Sequence, residues 1–181
     1  ETDVAGLLLG TAGASLEEDY PLLANHLSRD FEVRPIRPGE PIPPEVTVLF
    51  VIGGTDLDAP ELYPIDQYIM RGGNVLFAVD GVTVDLQRTF RAEAPQEMPL
   101  LDMLSTYGAR VEQELVLDTS NRRIPVREQA GGSTVQTLEP YPHWVSLRGT
   151  GANDDNPITA RFAGLDLYWP SHLSLTRESA E

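Results

Sequence analysis

The chain has 181 residues, 41% of them hydrophobic and 23% charged, a composition typical of an ordinary globular domain. Its formal net charge is −15, from 28 acidic and 13 basic side chains, and a surface this negative repels the phosphates of nucleic acids and of anionic lipids. The chain contains no cysteine, which excludes disulfides, iron–sulfur clusters, thiolate zinc sites and cysteine nucleophiles.

The basic side chains are all arginine, and the absence of lysine has two explanations. One is a GC-rich genome that prefers arginine codons, and the other is adaptation to high salt. We favour the first, because charge composition bears on solubility and association and not on chemistry. No run of residues approaches the roughly 20 apolar positions that a membrane span needs. Since Glu1-Thr2-Asp3 includes neither an initiator methionine nor a signal peptide, we expect the chain to be cut from a longer protein.

The first predicted elements are a strand and a helix. Residues 4–9 form a short, continuous apolar run, as a strand buried on both faces does. After a turn of small residues, Ser15 and Glu18 form a capping-box pattern in front of apolar residues at helical spacing. Because Pro21 falls within the first turns, the start of this helix can also lie at Asp19.

The next three elements have clear local signals. Residues 31–36 predict a short second strand, and the β-branched run at 46–52 predicts a third. Asp58 and Glu61 then form a capping pair at the start of a second helix. Residues 74–79 predict the fourth strand. This alternation of strand and helix is typical of a parallel sheet.

The rest of the chain is less regular. A leucine-rich helix begins near Leu100 and ends at Gly108, and residues 110–117 predict a further strand. After Asp118 only short apolar pieces remain between turns, and we expect short strands or extended loops that cover the sheet. These pieces are residues 124–126, 134–138, 144–147, 165–168 and 173–175. We therefore predict one α/β domain over residues 1–181: a mainly parallel sheet with helices on both faces, and extra short strands in its C-terminal third.

Glycines and acidic residues follow several of the predicted strands. Because the carboxyl ends of parallel strands lie along one edge, where ligands usually bind, we predict a tentative ligand-binding site there. Its residues are Gly10, Gly53, Gly54, Thr55, Asp56 and Asp80. The two aspartates are suited to general acid/base work or to metal binding. In the simpler interpretation they serve turns and helix caps. Asp118 would join the edge if its strand is parallel.

Other catalytic patterns are absent from the sequence. His26, His143 and His172 lack the spacing of a metal site, and no G-x-S-x-G elbow or Walker motif occurs. We therefore predict no metal, no cofactor and no catalytic residue. Aromatic side chains collect late in the chain, where they form either a binding patch or part of the core. They are Tyr141, His143, Trp144, Phe162, Tyr168 and Trp169.

Three stretches resemble a known family. They are IDQYIMRGGNVLFAVD at residues 65–80, the segment 101–118, and the looser segment 156–173. Their order and spacing are similar to those of the auxiliary component of the ABC-type transport system associated with gliding motility. The resemblance runs from about Val4 to Leu175.

The resemblance implies a bacterial membrane protein whose soluble domain lies outside the cytoplasm, at the periplasm or cell exterior, attached by transmembrane helices beyond this chain. It implies an ABC permease and ATPase as partners. It also implies a flavodoxin-like fold related to glutamine amidotransferases and intraflagellar-transport domains, and it supplies no catalytic residues. Because the chain has no cysteine, amidotransferase chemistry is excluded.

These observations lead to three hypotheses. The first is a non-catalytic accessory domain of the transport system, which acts by protein contact or by binding a ligand at the strand-end edge. The second is a hydrolase of glycans or peptides that uses Asp56 and Asp80, which requires the two carboxyls to converge in a cleft. The third is a solute-binding domain, which requires a pocket of roughly several hundred Å³.

Overall fold

A computed structural model describes residues 3–11, 13–54, 56–85, 91–95, 97–130, 133–148, 153, 155–160 and 162–176. The chain divides into two compact units. The first comprises Glu1–Asp80, Pro95–Val111 and Leu173–Glu181, and the second comprises Gly81–Ala94 and Glu112–His172. That the whole chain is one domain stays a prediction.

The first unit contains a four-stranded parallel sheet in the order β2-β1-β3-β4. The predicted bounds of the second and third strands agree with the structure, and those of the first and fourth differ by one residue at one end. The strands are β1 (Asp3–Leu9), β2 (Phe31–Ile36), β3 (Val46–Ile52) and β4 (Asn74–Ala78). The predicted parallel sheet is thus confirmed.

Four helices accompany this sheet: α1 (Leu16–Asp19), α2 (Pro21–Asp30), α3 (Ala59–Met70) and α4 (Pro99–Thr106). Ser15 caps α1, but Pro21 lacks an N–H and begins a new helix, so the single predicted helix is two. The predicted capping box of α3 is present in full, with Asp58 and Glu61 each accepting the other's backbone N–H at 3.0 Å.

The core of the first unit lies on one face of the sheet. Leu8 of β1 and Leu49 of β3 lie on this face, where Ile65 of α3 and Leu100 of α4 pack against them. Leu7 points to the opposite face, which α2 covers. The prediction of helices on both faces is therefore confirmed.

The second unit is antiparallel. Its main sheet has the order β10-β9-β8, formed by β8 (Asn121–Ala130), β9 (Ser133–Arg148) and β10 (Gly164–Tyr168). A small pair, β5 (Thr83–Val84) and β6 (Ala92–Glu93), accompanies it. The expectation of short strands is wrong for β8 and β9, which have 10 and 16 residues. Polar and charged residues and prolines interrupt their apolar positions, so apolar patterning detects only fragments of them.

Two further strands, β7 (Ala109–Leu115) and β11 (Ser171–Leu175), pair with each other, and the chain passes from one unit to the other within each of them. β7 is the predicted further strand, with slightly different bounds. Because it does not join the parallel sheet, the condition for Asp118 to reach the strand-end edge is not met.

Candidate functional site

The carboxyl ends of β1 and β3 meet through their glycines. The Gly10 N–H donates to the Ile52 carbonyl at 2.9 Å, and the Gly53 N–H donates to the Ala78 carbonyl at 2.9 Å. A Cβ added to Gly10 would lie 2.1 Å from the Gly54 Cα, closer than any two such atoms can approach. Gly53 and Gly54 also have left-handed φ angles of 70° and 101°. Only glycine fits at this junction.

A cleft of about 1230 Å³ opens beside this junction. Its floor is the face of β1 and β2 opposite the core, and its wall is one side of α2. The floor consists of Leu7, Leu9, Phe31, Val33 and Pro35. The wall consists of the α2 residues Pro21, Ala24, Asn25, Ser28 and Arg29. Gly10 and Asp56 of the predicted site line the cleft. Thr55 lies outside the described residues.

Five charged side chains line the cleft: Glu17, Arg29, Arg37, Asp56 and Glu61. Glu61 accepts the Asp58 N–H as part of the α3 cap, and Glu17 accepts the Ser15 hydroxyl at 3.2 Å.

The two arginines are also engaged. Arg29 donates to the Asn25 Oδ1 at 3.1 Å, and Arg37 donates to Glu40 at 3.4 Å. Among the described residues, Asp56 has neither a hydrogen bond nor an ion pair through its carboxylate. Each guanidinium keeps further N–H donors and its positive charge, so the cleft presents both acidic and basic groups.

Asp80 follows β4 but is not among the described residues that line the cleft. Its residue surface is exposed, although partial burial of the carboxyl raises its pKa above the ordinary value. The two aspartates of the hydrolase hypothesis are thus not brought together in this cleft. Within the described part of the chain, no group of three or more histidines, aspartates and glutamates is placed to hold a metal ion.

The IDQYIMRGG stretch serves the first unit's packing. The Tyr68 hydroxyl donates to the Val46 carbonyl at 3.1 Å, and its ring lies so close to Gly73 that a Cβ there would be 2.3 Å from a ring carbon. Burial raises the pKa of Tyr68. The Tyr107 hydroxyl donates to the Asp66 Oδ1 at 2.6 Å, and this bond, with burial, raises the pKa of Tyr107 to about 12.

A family model described as an ABC-type uncharacterized transport system matches residues 4–181. The chain belongs to this family. It is also similar to an uncharacterized protein of Borreliella burgdorferi, with 23% identity over 140 residues, or 77% of this chain and 26% of the relative. The match thus spans about a quarter of the relative's length.

The family indicates an auxiliary component of an ABC-type transport system. It also indicates that this system is associated with membranes. In the parts of the chain that the structure describes, none of the helices combines the length and the apolar character that crossing a bilayer requires.

The second unit contains the aromatic cluster that the sequence suggested. Five of the six side chains are in ring contact. The ring centroid of Trp144 lies 4.8 Å from that of Tyr168 and 5.5 Å from those of Tyr141 and Trp169. Trp169 has a left-handed φ of 52°, unusual for a bulky residue, and its indole N–H donates to the Tyr141 hydroxyl at 3.3 Å. The fifth side chain in ring contact is His143, whose ring lies beside that of Tyr141.

Sequence reasoning missed an ionic network next to this cluster. The Ser146 hydroxyl and Arg148 each donate to the Asp166 Oδ1 at 2.7 Å, and Arg122 lies 3.6 Å from Oδ2. The hydroxyl and then the guanidiniums lower the pKa of Asp166. It also missed the α2 wall of the cleft, for which the only local signal is the small side chains of Ala24 and Ser28, one helical turn apart.

Proposed function

We propose that this domain is a non-catalytic, extracytoplasmic accessory part of a transport system of the gliding-motility type. It works by binding, either a ligand at the strand-end edge or a protein surface, and the permease and ATPase subunits supply transport. The family match over residues 4–181 supports a role as an accessory part of a transport system. The resemblance in the segment 65–80 supports the gliding-motility type, with permease and ATPase subunits as partners.

The order β2-β1-β3-β4 supports a flavodoxin-like fold, because flavodoxin-like sheets have the order 2-1-3-4-5 and bind ligands where strands 1 and 3 diverge. Gly10 and Gly54 occupy that position here. The observation on which the proposal rests most is the cleft beside them, which Asp56 lines and Asp80 does not. A binding site needs no more than this.

Exposed apolar surface in the second unit supports protein contact. All residues from 134 to 140 are exposed, including Val135 at 46% and Leu138 at 59%. A two-stranded ribbon exposed on both faces is marginal in water and gains stability when a partner covers it. The acidic surface elsewhere suits a partner face that carries positive charge.

Solute binding is the second candidate. The volume of the cleft, about 1230 Å³, is ample for a small ligand, which favours this function. Under this reading the domain would present a solute to the permease. The hydrolase has no such support, because Asp80 does not share the cleft with Asp56.

Photo-crosslinking in membranes tests the proposal. A photoreactive amino acid replaces Leu138 in the natural full-length protein, with replacement of Leu22, 79% exposed on α2, as the matched control. We expect crosslinks to the permease from position 138 and fewer from position 22. Protease added to intact spheroplasts should digest the domain if it lies outside the cytoplasm. Equal crosslinking from the two positions would contradict protein contact through β9, and full protection from the protease would contradict the extracytoplasmic location.

A further inference from the structure

The ribbon formed by β8 and β9 presents one basic face. Residues 122–129 pair with residues 134–141 in a regular register, so alternate residues of each strand share a face with their cross-strand partners. The face that contains Arg123 has eight members, all of them exposed and none of them acidic. We call it the arginine face. Its three central rows pair Arg123 with Pro140, Pro125 with Leu138 and Arg127 with Gln136.

The two guanidiniums of the arginine face are unpaired. Those of Arg123 and Arg127 make neither an ion pair nor a hydrogen bond with any residue that the structure describes. The acidic residues of the ribbon, Glu128 and Glu139, fall at the alternate positions of the register, which belong to the opposite face. The arginine face therefore offers two positive charges, each with N–H donors in the planar arrangement that holds a carboxylate.

The spacing of the two arginines sets the spacing of the groups that they can bind. They are four residues apart on one strand, a distance of about 13 Å along the strand. The row between them is apolar, since Pro125 faces Leu138, which is 59% exposed. An extended peptide has the same geometry, because its residues i and i+4 point to one side with residue i+2 between them. A segment with carboxylates at i and i+4 and an apolar side chain at i+2 therefore matches the arginine face.

The negative charge of the chain limits which anions can reach this face. A net charge of −15 repels an extended anionic surface, such as a lipid bilayer or a nucleic acid. This repulsion is screened beyond a Debye length of about 8 Å at physiological salt, so the two unpaired guanidiniums dominate at contact distance. A short acidic segment of a protein meets only the ribbon and avoids most of the repulsion.

We infer that the arginine face binds an extended acidic segment of a partner protein. Two carboxylates of the segment pair with Arg123 and Arg127. The apolar side chain between them packs on Pro125 and Leu138. This inference deepens the protein-contact form of the proposed function and rests on it: the proposed function names the permease as the partner, and the inference names the chemistry of the segment that makes the contact.

A titration of the full chain with capped peptides, followed by amide NMR, tests the inference. The acidic probe is acetyl-Glu-Thr-Leu-Thr-Glu-amide, and two matched probes carry glutamine or lysine in place of both glutamates. We expect the acidic probe to shift the amides of Arg123, Arg127 and Leu138. The glutamine probe should bind about tenfold more weakly, because two exposed ion pairs are lost, and the lysine probe should not bind. A glutamine or lysine probe that binds as tightly as the acidic probe, or an acidic probe that shifts none of these amides, would overturn the inference.

Variants locate the charges. Arg123→Gln combined with Arg127→Gln should lower the affinity for the acidic probe about tenfold. The matched control combines Arg71→Gln with Arg110→Gln, which removes two exposed arginines outside the ribbon. It should change the affinity less than about twofold, since these charges do not touch the segment. Equal losses in the two double variants would mean that only net charge matters, and the inference would fail.

Other occupants of the arginine face would give different results. Tighter binding to vesicles of equal parts phosphatidylglycerol and phosphatidylcholine, or to an oligothymidylate, than to the acidic probe would assign the face to a membrane or to a nucleic acid. Shifts of the same amides when the chain alone is concentrated would assign it to a second copy. Each of these results would overturn the inference. The titration does not involve the permease, so a crosslink to the permease without a preference for the acidic probe sinks the inference alone, and the reverse result sinks the proposed partner alone.

Discussion

Single residues determine how the strand ends meet. Gly10 and Gly54 allow two turns to approach to a distance that no side chain permits, and this contact places the mouth of the cleft at the end of β1. Tyr68 and Gly73 make a similar close contact beside β4, where the tyrosine hydroxyl also satisfies a strand carbonyl. These residues shape the backbone on which the site is built.

Gly10→Ala should lower the free energy of unfolding by about 3 kcal/mol, because its Cβ would collide with backbone and not with a flexible side chain. Gly13→Ala is the matched control in the same turn: its Cβ meets nothing within 4 Å, and only its left-handed φ of 78° costs about 1 kcal/mol. Urea unfolding followed by circular dichroism measures both. Equal losses in the two variants would contradict the close contact.

Asp66→Asn should lower the pKa of Tyr107 from about 12 towards the ordinary value near 10, because the hydrogen bond to a charged carboxylate is lost. Since the folded-state pKa is raised, this bond stabilises the fold below about pH 10, and the stabilisation disappears as the pH rises towards 12. NMR titration of isotope-labelled tyrosine rings measures the pKa. Tyr68, which does not contact Asp66, serves as the internal control. A wild-type Tyr107 that titrates near pH 10 would refute this account.

The helices differ in how fully they pack. α3 buries Leu62, Ile65 and Tyr68 against the sheet, whereas α2 buries only Leu27 of its described residues. The difference in side-chain size on the sheet-facing side leaves the cleft under α2. In the second unit, the strands are held by a polar network at Asp166 in addition to apolar contacts.

Asp166→Asn should loosen β10 from β9, because the carboxylate accepts hydrogen bonds from Ser146 and Arg148. Its folded-state pKa is lowered, so the stabilisation is present above the unfolded pKa of about 4 and is lost as the pH falls through the folded value.

Hydrogen exchange of Gly164–Tyr168 measures the effect. We expect faster exchange in the variant at neutral pH and a smaller difference in acid, with Asp155→Asn in an exposed loop as the control. The same exchange rate in wild type and variant at neutral pH would show that the network contributes nothing.

At the scale of the whole molecule, the dominant property is charge. A net charge of −15 on 181 residues favours solubility but opposes compaction through self-repulsion. This value already counts the arginines, of which Arg37 pairs with Glu40 and Arg148 with Asp166.

Raising NaCl from about 0.02 to about 0.5 M should therefore increase the urea midpoint of unfolding, since the added salt screens repulsion beyond the Debye length. A variant with Asp30→Asn, Glu97→Gln and Asp102→Asn removes three negative charges at exposed positions and should show a smaller increase. A midpoint that falls with salt in the wild type would mean that favourable ion pairs outweigh the repulsion.

Local signals in the sequence were sufficient for most elements of the first unit. The β-branched run of β3, the apolar run of β1 and the capping pair Asp58 and Glu61 each act within a few residues, so their structures follow from the sequence alone. The gathering of Gly10 and Gly54 was also predictable, because parallel strands place their carboxyl ends along one edge.

Only the tertiary structure decided the rest. The pairing of β7 with β11 joins segments distant in sequence. β8 and β9 are neighbours in sequence that pair from Ala130 and Ser133 outward, but short apolar fragments are a weak signal of their full length. The cleft exists because small residues of α2 face large ones on β1 and β2, and Asp56 reaches it from the turn after β3. Such features depend on which side chains meet across the fold, and no local pattern in the sequence encodes that meeting.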